Sequence, residues 1–345
     1  MKRQSNREGI NLPFLLNKIM ENFWKKFKDK KGNEPIWALA PMAGYTDSIF
    51  RIICKEFGAD VVYSEMASAV ALASAPAKTL ELISFEKKER PYIVQLFGSD
   101  PKHFQKAIEL LTNKRKLSKF QIPNFKFKIP DGIDINFGCP VRKVAKQGAG
   151  AVLMNNIKLA RDIIKATVGS CNLTVSIKIR SQVGKVSALE FLDKVGDVGL
   201  SAIMIHGRTL AQGHSGHVNW EIIKKARDYF GGIILANGGV MSADDAFDLL
   251  SKTQADGIGI ARGALGRPWI FKEVRSKKLE ARSNKDIYNI LSKHAEKVWK
   301  LKGGRGIVEY RKHAVWYVKG MEGASELRQK LVNINCLDDL KKIKV

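Results

Sequence analysis

The chain has 345 residues, of which 45% are hydrophobic and 27% charged, an ordinary balance for a globular protein with room for one large and one smaller domain. Fifty-nine Lys/Arg against 34 Asp/Glu give a formal charge of +25, which points to a polyanionic partner more than to solubility alone. No run of about 18 apolar residues suggests a membrane span. Nor do Cys54, Cys139, Cys171 and Cys336 form a Cys-x-x-Cys pair or a Cys/His cluster, so no metal is expected and a reduced, cytoplasmic compartment fits best.

The charge is uneven. Residues 1–33 hold nine Lys/Arg against three Asp/Glu, and residues 272–345 hold 19 against nine, while the middle is closer to an ordinary enzyme. The N-terminal stretch shows no continuous apolar core followed by small residues, so no export signal is expected. It reads as a basic extension over 1–34. Leu12, Leu15, Leu16, Ile19, Phe23 and Phe27 share one helical face, with Lys18, Lys25 and Lys28 elsewhere. A helix packed on the floor of the fold is preferred to a membrane-surface helix.

Eight short β-type runs follow: Trp37–Met42, Asp60–Met66, Tyr92–Gly98, Gly132–Gly138, Leu173–Arg180, Ala202–Arg208, Gly232–Val240 and Gly257–Gly263. Helical periodicity lies between them, for example in Ser48–Phe57, Pro101–Leu111, Lys158–Val168, Ala188–Val198, Trp220–Tyr229 and Ala243–Leu250. Strand–helix alternation implies parallel strands with crossover helices. Eight units match a closed (β/α)8 (TIM) barrel over 35–272, with an open doubly wound sheet as the alternative. The polar, basic stretch Asn113–Lys128 reads as a solvated loop, with an RNA contact as the alternative. After Phe271 no β-type run occurs. Asp286–Leu301, Gly306–Lys319 and Ala324–Asn333 read as amphipathic helices separated by Gly303-Gly304 and Gly320, a small all-α bundle over 273–345.

The fourth run, Ile133-Asp134-Ile135-Asn136-Phe137-Gly138-Cys139-Pro140, is the most informative segment. A buried strand stops at a Gly-Cys-Pro turn and delivers an amide, Asn136, and a thiol, Cys139, to one rim of the sheet. By itself the segment fits a buried structural cysteine equally well. In a (β/α)8 barrel the carboxyl ends of the strands form the active-site face, and phosphate sits in the last two loops. Those loops here are Asn237-Gly238-Gly239 and Ala261-Arg262-Gly263, whose backbone N–H groups and Arg262 suit an anion. Gln95, Lys178 and His206 lie on the third, fifth and sixth runs. An ammonium at Lys178 in the barrel mouth needs an anionic partner, such as a reduced flavin.

In this company the chain resembles a bacterial tRNA-dihydrouridine synthase, of the group with a helical C-terminal part. The matching segments are Ala40–Gly44, Thr46-Asp47, Phe50-Arg51, Ser64–Met66, Val94–Gly98, Asp134–Pro140, Ser176–Arg180, His206–Thr209, Ala236–Gly239, Arg262–Ile270, Arg311–His313 and Trp316-Tyr317. The resemblance implies FMN, with NADPH or NADH as reductant, and tRNA as substrate of a monomeric enzyme. The C5–C6 double bond of a uridine would be reduced, with flavin hydride going to C6 and a proton from Cys139 to C5. By matching position, Pro41, Met42, Ala43, Gln95, Lys178 and His206 would contact the flavin, and Asn237, Gly238, Gly239, Ala261 and Arg262 its phosphate. Asn136, Arg208, Arg142, Lys143 and Lys312 are the expected substrate contacts. Two departures stand out: the loop Thr209–His217 carries histidines at unusual positions, and Ala261 replaces the usual glycine. A dihydroorotate-type dehydrogenase of a free pyrimidine is the rival enzyme, but it has no use for the basic helical tail. A non-catalytic RNA-binding barrel would not retain Cys139, Lys178 and the phosphate loops together.

Overall fold

A computed structural model describes residues 22–343 apart from 33, 75, 121–126 and 280. The strands are β1 (Ile36–Leu39), β2 (Val61–Ser68), β3 (Tyr92–Phe97), β4 (Gly132–Phe137), β5 (Thr174–Arg180), the two-residue pair β6 (Gln182–Val183) and β7 (Val186–Ser187), β8 (Ala202–His206), β9 (Ile233–Asn237) and β10 (Gly257–Ile260). All except the β6–β7 hairpin form one closed parallel barrel, because β1 bonds to both β2 and β10. The eight-stranded barrel expected from the alternation is thus observed, and the open sheet is excluded.

Side-chain parity explains both of its cores. On β4, Ile133, Ile135 and Phe137 join the large cluster between strands and helices, which leaves Asp134 and Asn136 facing the barrel axis. The same alternation on β5 turns Val175, Ile177 and Ile179 outward and Ser176 and Lys178 inward. The lower half of the axis is apolar, filled by Ile36, Ala38, Val61, Tyr63, Ile93, Met204 and Leu235. Helix Phe23–Lys31 inserts the fully buried Trp24 into this inner cluster, and Lys28 bonds to Asp256. Its apolar face is turned to the barrel, as the floor reading expected. Residues 12–21 of the expected helix lie outside the described residues.

The crossover helices start where side-chain caps dictate. Asp47, Asn156, Ser187 and Ser242 each accept a first-turn N–H, and Asp100 does so beside Pro101 at the first helical position. Between β2 and β3 lie two helices not expected from the sequence, Ala69–Ser74 and Ala77–Ile83. Both are too short to impose a periodic signal. The basic insert, expected as a loop, contains a short helix, Lys114–Leu117, anchored by buried Leu117. This short helix follows helix Pro101–Thr112 and precedes β4, so it lies at the amino-terminal end of the barrel, away from the carboxyl ends of the strands.

The C-terminal part is helical, as expected, and it breaks at Gly303, where the sequence reading divided it. Within Asn284–Tyr317, which we call the long helix, two helical halves meet at a kink at the non-helical Gly303 (φ 58, ψ −145), and Ala324–Leu331 and Leu337–Lys341 follow. Leu291, Ala295, Ile307, Tyr310, Ala314 and Tyr317 of the long helix share a core with Ile49, Ile52 and Ile53 of helix Ser48–Glu56. At Gly266 (φ +68) a Cβ would come within 2.2 Å of the Trp316 carbonyl oxygen, so only glycine allows the end of the long helix to lie against the loop after β10.

Candidate active site

A cavity of about 440 Å³ opens at the carboxyl ends of the strands. Its wall combines Pro41, Met42 and Ala43 after β1, Gln95 on β3, Asn136 and Cys139 at the end of β4, Lys178 on β5 and His206 on β8. Asn237, Gly238 and Gly239 follow from β9, and Ala261 and Arg262 from β10. All eleven expected cofactor contacts, the candidate catalytic thiol, Asn136 and Arg208 therefore meet in one place. Arg142, Lys143 and Lys312 do not line it: the first two are exposed on the helix after β4, and Lys312 faces a neighbouring groove.

A chain of hydrogen bonds orders the thiol side. Asp134, fully buried, accepts from Ser176 Oγ at 2.6 Å and from Gln95 Nε2 at 2.7 Å. Gln95 Oε1 then accepts from Asn136 Nδ2 at 2.9 Å, and Asn136 Oδ1 accepts from the N–H groups of Gly138 and Cys139 at 3.1 and 2.8 Å. A carboxylate only accepts, so Asp134 decides which way both amides point. Burial raises its pKa to about 6 against the lowering effect of Ser176, Gln95 and Lys178. The Cys139 thiol is pushed up by burial as well, although the Val141 backbone, Arg180 and Lys178 pull the other way. Burial thus favours the protonated thiol over the thiolate.

The adjoining wall, which starts on β5 beside β4, is cationic. Lys178 Nζ donates to Asn237 Oδ1 at 3.1 Å, while Asn237 Nδ2 donates to the Gly259 carbonyl at 2.7 Å. Burial, with Arg180 beside it, lowers the Lys178 pKa to about 8. His206 is held neutral by burial and by the surrounding Lys178, Arg180 and Arg208. Arg180 braces the rim by donating to the carbonyls of Gly138 at 2.8 Å, Thr209 at 3.0 Å and Gly213 at 2.9 Å.

The glycine loops form a cradle. Gly238 (φ +116) and Gly239 (φ +77) adopt conformations that side chains avoid, and a Cβ on Gly238 would stand 2.7 Å from His206 Cδ2. Arg208 is 9% exposed, and its Nη1 has no hydrogen-bond partner among the described residues. Its Nε holds the Gly216 carbonyl at 2.9 Å, and Arg262 Nη2 reaches the His214 carbonyl at 3.4 Å. The departing loop 209–217 thus lies over the cradle, with the His214 ring stacked on His206 at 6.0 Å between centroids. An orphaned buried guanidinium nitrogen beside a glycine cradle fits an anionic group such as a phosphate.

The sequence reading missed Asp134, Tyr45 and Trp316. Asp134 was accessible in principle, since it shares strand parity with Asn136. Trp316 arrives from the C-terminal helix, and no local pattern shows that it lines a cavity of the barrel.

Residues 38–344 match the family model described as dihydrouridine synthase (Dus). Among curated proteins, the chain is 30% identical to a probable tRNA-dihydrouridine synthase 1 of Synechocystis over 87% of this chain and 82% of that protein. It is 32% identical to a probable tRNA-dihydrouridine synthase of Aquifex aeolicus over 88% and 94%. It is also 31% identical to tRNA-dihydrouridine synthase B of Shewanella oneidensis over 80% and 84%. Such agreement along nearly the whole chain means that this protein belongs to the dihydrouridine synthase family.

Proposed function

We propose that the protein is a flavin-dependent oxidoreductase that reduces the C5–C6 double bond of uridines in tRNA to 5,6-dihydrouridine, with FMN bound and NADPH or NADH as reductant. The observation that carries this reading is the meeting, in one cavity, of a protonated thiol, an ordered amide pair and a cationic wall ending in a glycine cradle. FMN would supply hydride transfer to C6 of the uracil ring.

The remaining work belongs to the chain. Gly238, Gly239, Ala261 and Arg262 would hold the cofactor phosphate, the N–H groups and guanidinium meeting its charge. Lys178 and neutral His206 would donate to the polar edge of the flavin ring, and Pro41, Met42 and Ala43 would cover one side of it. Gln95 and Asn136 offer amide groups to flavin and uracil. Cys139 would deliver its proton to C5, and the raised pKa keeps that proton in place at neutral pH. Thiolate left after transfer is stabilised by nearby Arg180 and Lys178.

A base stacked in folded RNA must be extruded to reach this depth, at a cost of a few kcal/mol. The basic helices over 273–345 and the exposed Arg142 and Lys143 at the rim would offset it through phosphate contacts, with Lys312 beside the cavity. A dehydrogenase of a free pyrimidine would share the cradle and the lysine but leave these charges without a role.

The test is anaerobic. Reduced protein is mixed with unmodified tRNA, and flavin reoxidation is followed beside dihydrouridine formation. Reoxidation by tRNA but not by uridine or orotate, and its loss in Cys139→Ala, is the expected result. Reoxidation by a small pyrimidine alone would overturn the reading.

A further inference from the structure

The segment that walls one side of the cavity does not end there. From Met42 it turns tightly: Tyr45 and Thr46 both donate their N–H to the Met42 carbonyl at 3.0 Å. Gly44 N–H bonds to Glu65, and the fully buried Arg51, paired with Glu89 at 2.5 Å, holds the Thr46 carbonyl at 2.6 Å. The segment is therefore tied together from Met42 to Asp47. Asp47 closes it with two bonds: it caps helix Ser48–Glu56 through the Phe50 N–H at 3.0 Å, and its other oxygen meets His313 Nε2 at 3.1 Å.

His313 belongs to the long C-terminal helix, yet it is 2% exposed and stands against the barrel. Its ring lies edge-on to Tyr45 at 5.5 Å and against Phe50 at 4.9 Å. Tyr45 and, one helical turn beyond His313, Trp316 both line the cavity, and Lys312 Nζ stands 6.0 Å above the Tyr45 ring. Burial pushes the Asp47 carboxyl up, but the His313 hydrogen bond and the charges of His313 and His294 bring it well below the usual range. This direct polar contact between the helix and the Met42–Asp47 segment thus sits one residue from Lys312, which lines the groove beside the cavity.

We propose that His313 is a positioning residue for the reaction with RNA: through Asp47 it fixes the Met42–Asp47 wall and the Tyr45 ring in the geometry required when a nucleic acid lies on the C-terminal helix. The inference rests on the flavin and tRNA reading above. Its consequence is a split between the two halves of the cycle. Reduction by a nicotinamide nucleotide, a small molecule needing no helix contact, is independent of the Asp47–His313 bond. Oxidation by tRNA depends on it, because a Tyr45 ring displaced by a fraction of an ångström misaligns the base that arrives beside the C-terminal helix.

The test uses the full-length, FMN-loaded protein and three single variants. Asp47→Asn keeps an oxygen for the Phe50 N–H and so retains the helix cap, but it loses the charge facing His313. His313→Leu removes the bond, and His313→Gln keeps an amide able to donate to Asp47. Stopped-flow absorbance is read separately for reduction by NADPH and for reoxidation by saturating tRNA, beside the flavin visible spectrum and thermal unfolding. The expected result is reoxidation slowed about tenfold or more in Asp47→Asn and His313→Leu, partly recovered in His313→Gln, with reduction unchanged. The Asp47→Asn/His313→Leu double variant should be no slower than the singles, as coupling requires.

Unchanged reoxidation at saturating tRNA overturns the inference. So does a change confined to the tRNA concentration needed, which would make His313 an RNA contact only. Equal slowing of both half-reactions, or losses tracking stability across all three variants, would assign the pair a purely structural role and also overturn it. Wild-type protein inert toward tRNA overturns the parent reading and this inference together, whereas wild-type turnover with unaffected variants overturns this inference alone.

Discussion

Asp134 and Cys139 are connected across the β4 rim through two side-chain amides: the carboxylate holds Gln95, Gln95 holds Asn136, and Asn136 holds the Cys139 N–H. One buried charge thereby sets the direction of every donor in the series. The arrangement has an energetic cost, because the Asp134 carboxyl is raised to about 6, above its ordinary value of 3.8. In the folded protein its ionised form is disfavoured.

The sign of the resulting pH dependence follows. Between those two values the native state binds the Asp134 proton more tightly than the unfolded chain does, so this group's contribution favours folding as pH falls. Asp134→Asn is therefore expected to be more stable than wild type at pH 8, by at most about 3 kcal/mol, with the gap closing toward pH 4. Urea unfolding at both pH values measures it. The same variant can point an N–H at Gln95, so RNA-dependent flavin reoxidation should drop about tenfold.

Cys139→Ala should leave reduction by NADPH intact and remove at least about 100-fold of the RNA-dependent step, the range for loss of a general acid. Burial raises the thiol pKa, and an acid fails only when deprotonated. The wild-type rate should stay level through neutrality and fall only above the ordinary thiol range, about 8.5. Single-turnover rates from pH 6 to 10 decide this, and a fall beginning below pH 7 would count against the assignment.

Lys178→Met removes the ammonium facing the cavity while keeping similar bulk. A hydrogen bond to a charged group contributes about 1.5–3 kcal/mol, so FMN affinity should weaken about 10- to 100-fold. Quenching of flavin fluorescence on titration into apoprotein measures the change.

Trp24→Ala empties the floor of the inner barrel core and should lower stability by about 3–5 kcal/mol. It lies at the end of the barrel opposite the cavity, so turnover of the folded fraction should not change. Thermal unfolding and FMN-normalised rates, measured at low temperature, separate the two effects.

Much of the architecture was legible because the barrel is built from local rules. Apolar β-type runs repeat eight times with helical segments between them, so the strands, their order of appearance and the rim positions of Asn136, Cys139, Lys178 and His206 could all be read directly. The helices Ala69–Ser74 and Ala77–Ile83 escaped because six or seven residues hold too few turns to show a period. The break inside Asn284–Tyr317 was legible, because Gly303 takes a positive φ that ends one helical half before the next begins; that both halves share a core with Ile49, Ile52 and Ile53 was not.

The site divides in the same way. By itself the amino-acid sequence determined which chemical groups reach the carboxyl rim, because strand parity and loop position are properties of neighbouring residues. Only the tertiary structure decided that Asp134 orients the amides, that Arg208 Nη1 has no hydrogen-bond partner among the described residues, and that His313 bonds to Asp47 266 residues away. Burial, proton affinity and hydrogen-bond direction depend on what surrounds a side chain in space, and those surroundings exist only once the barrel has closed and the C-terminal helix has packed against it.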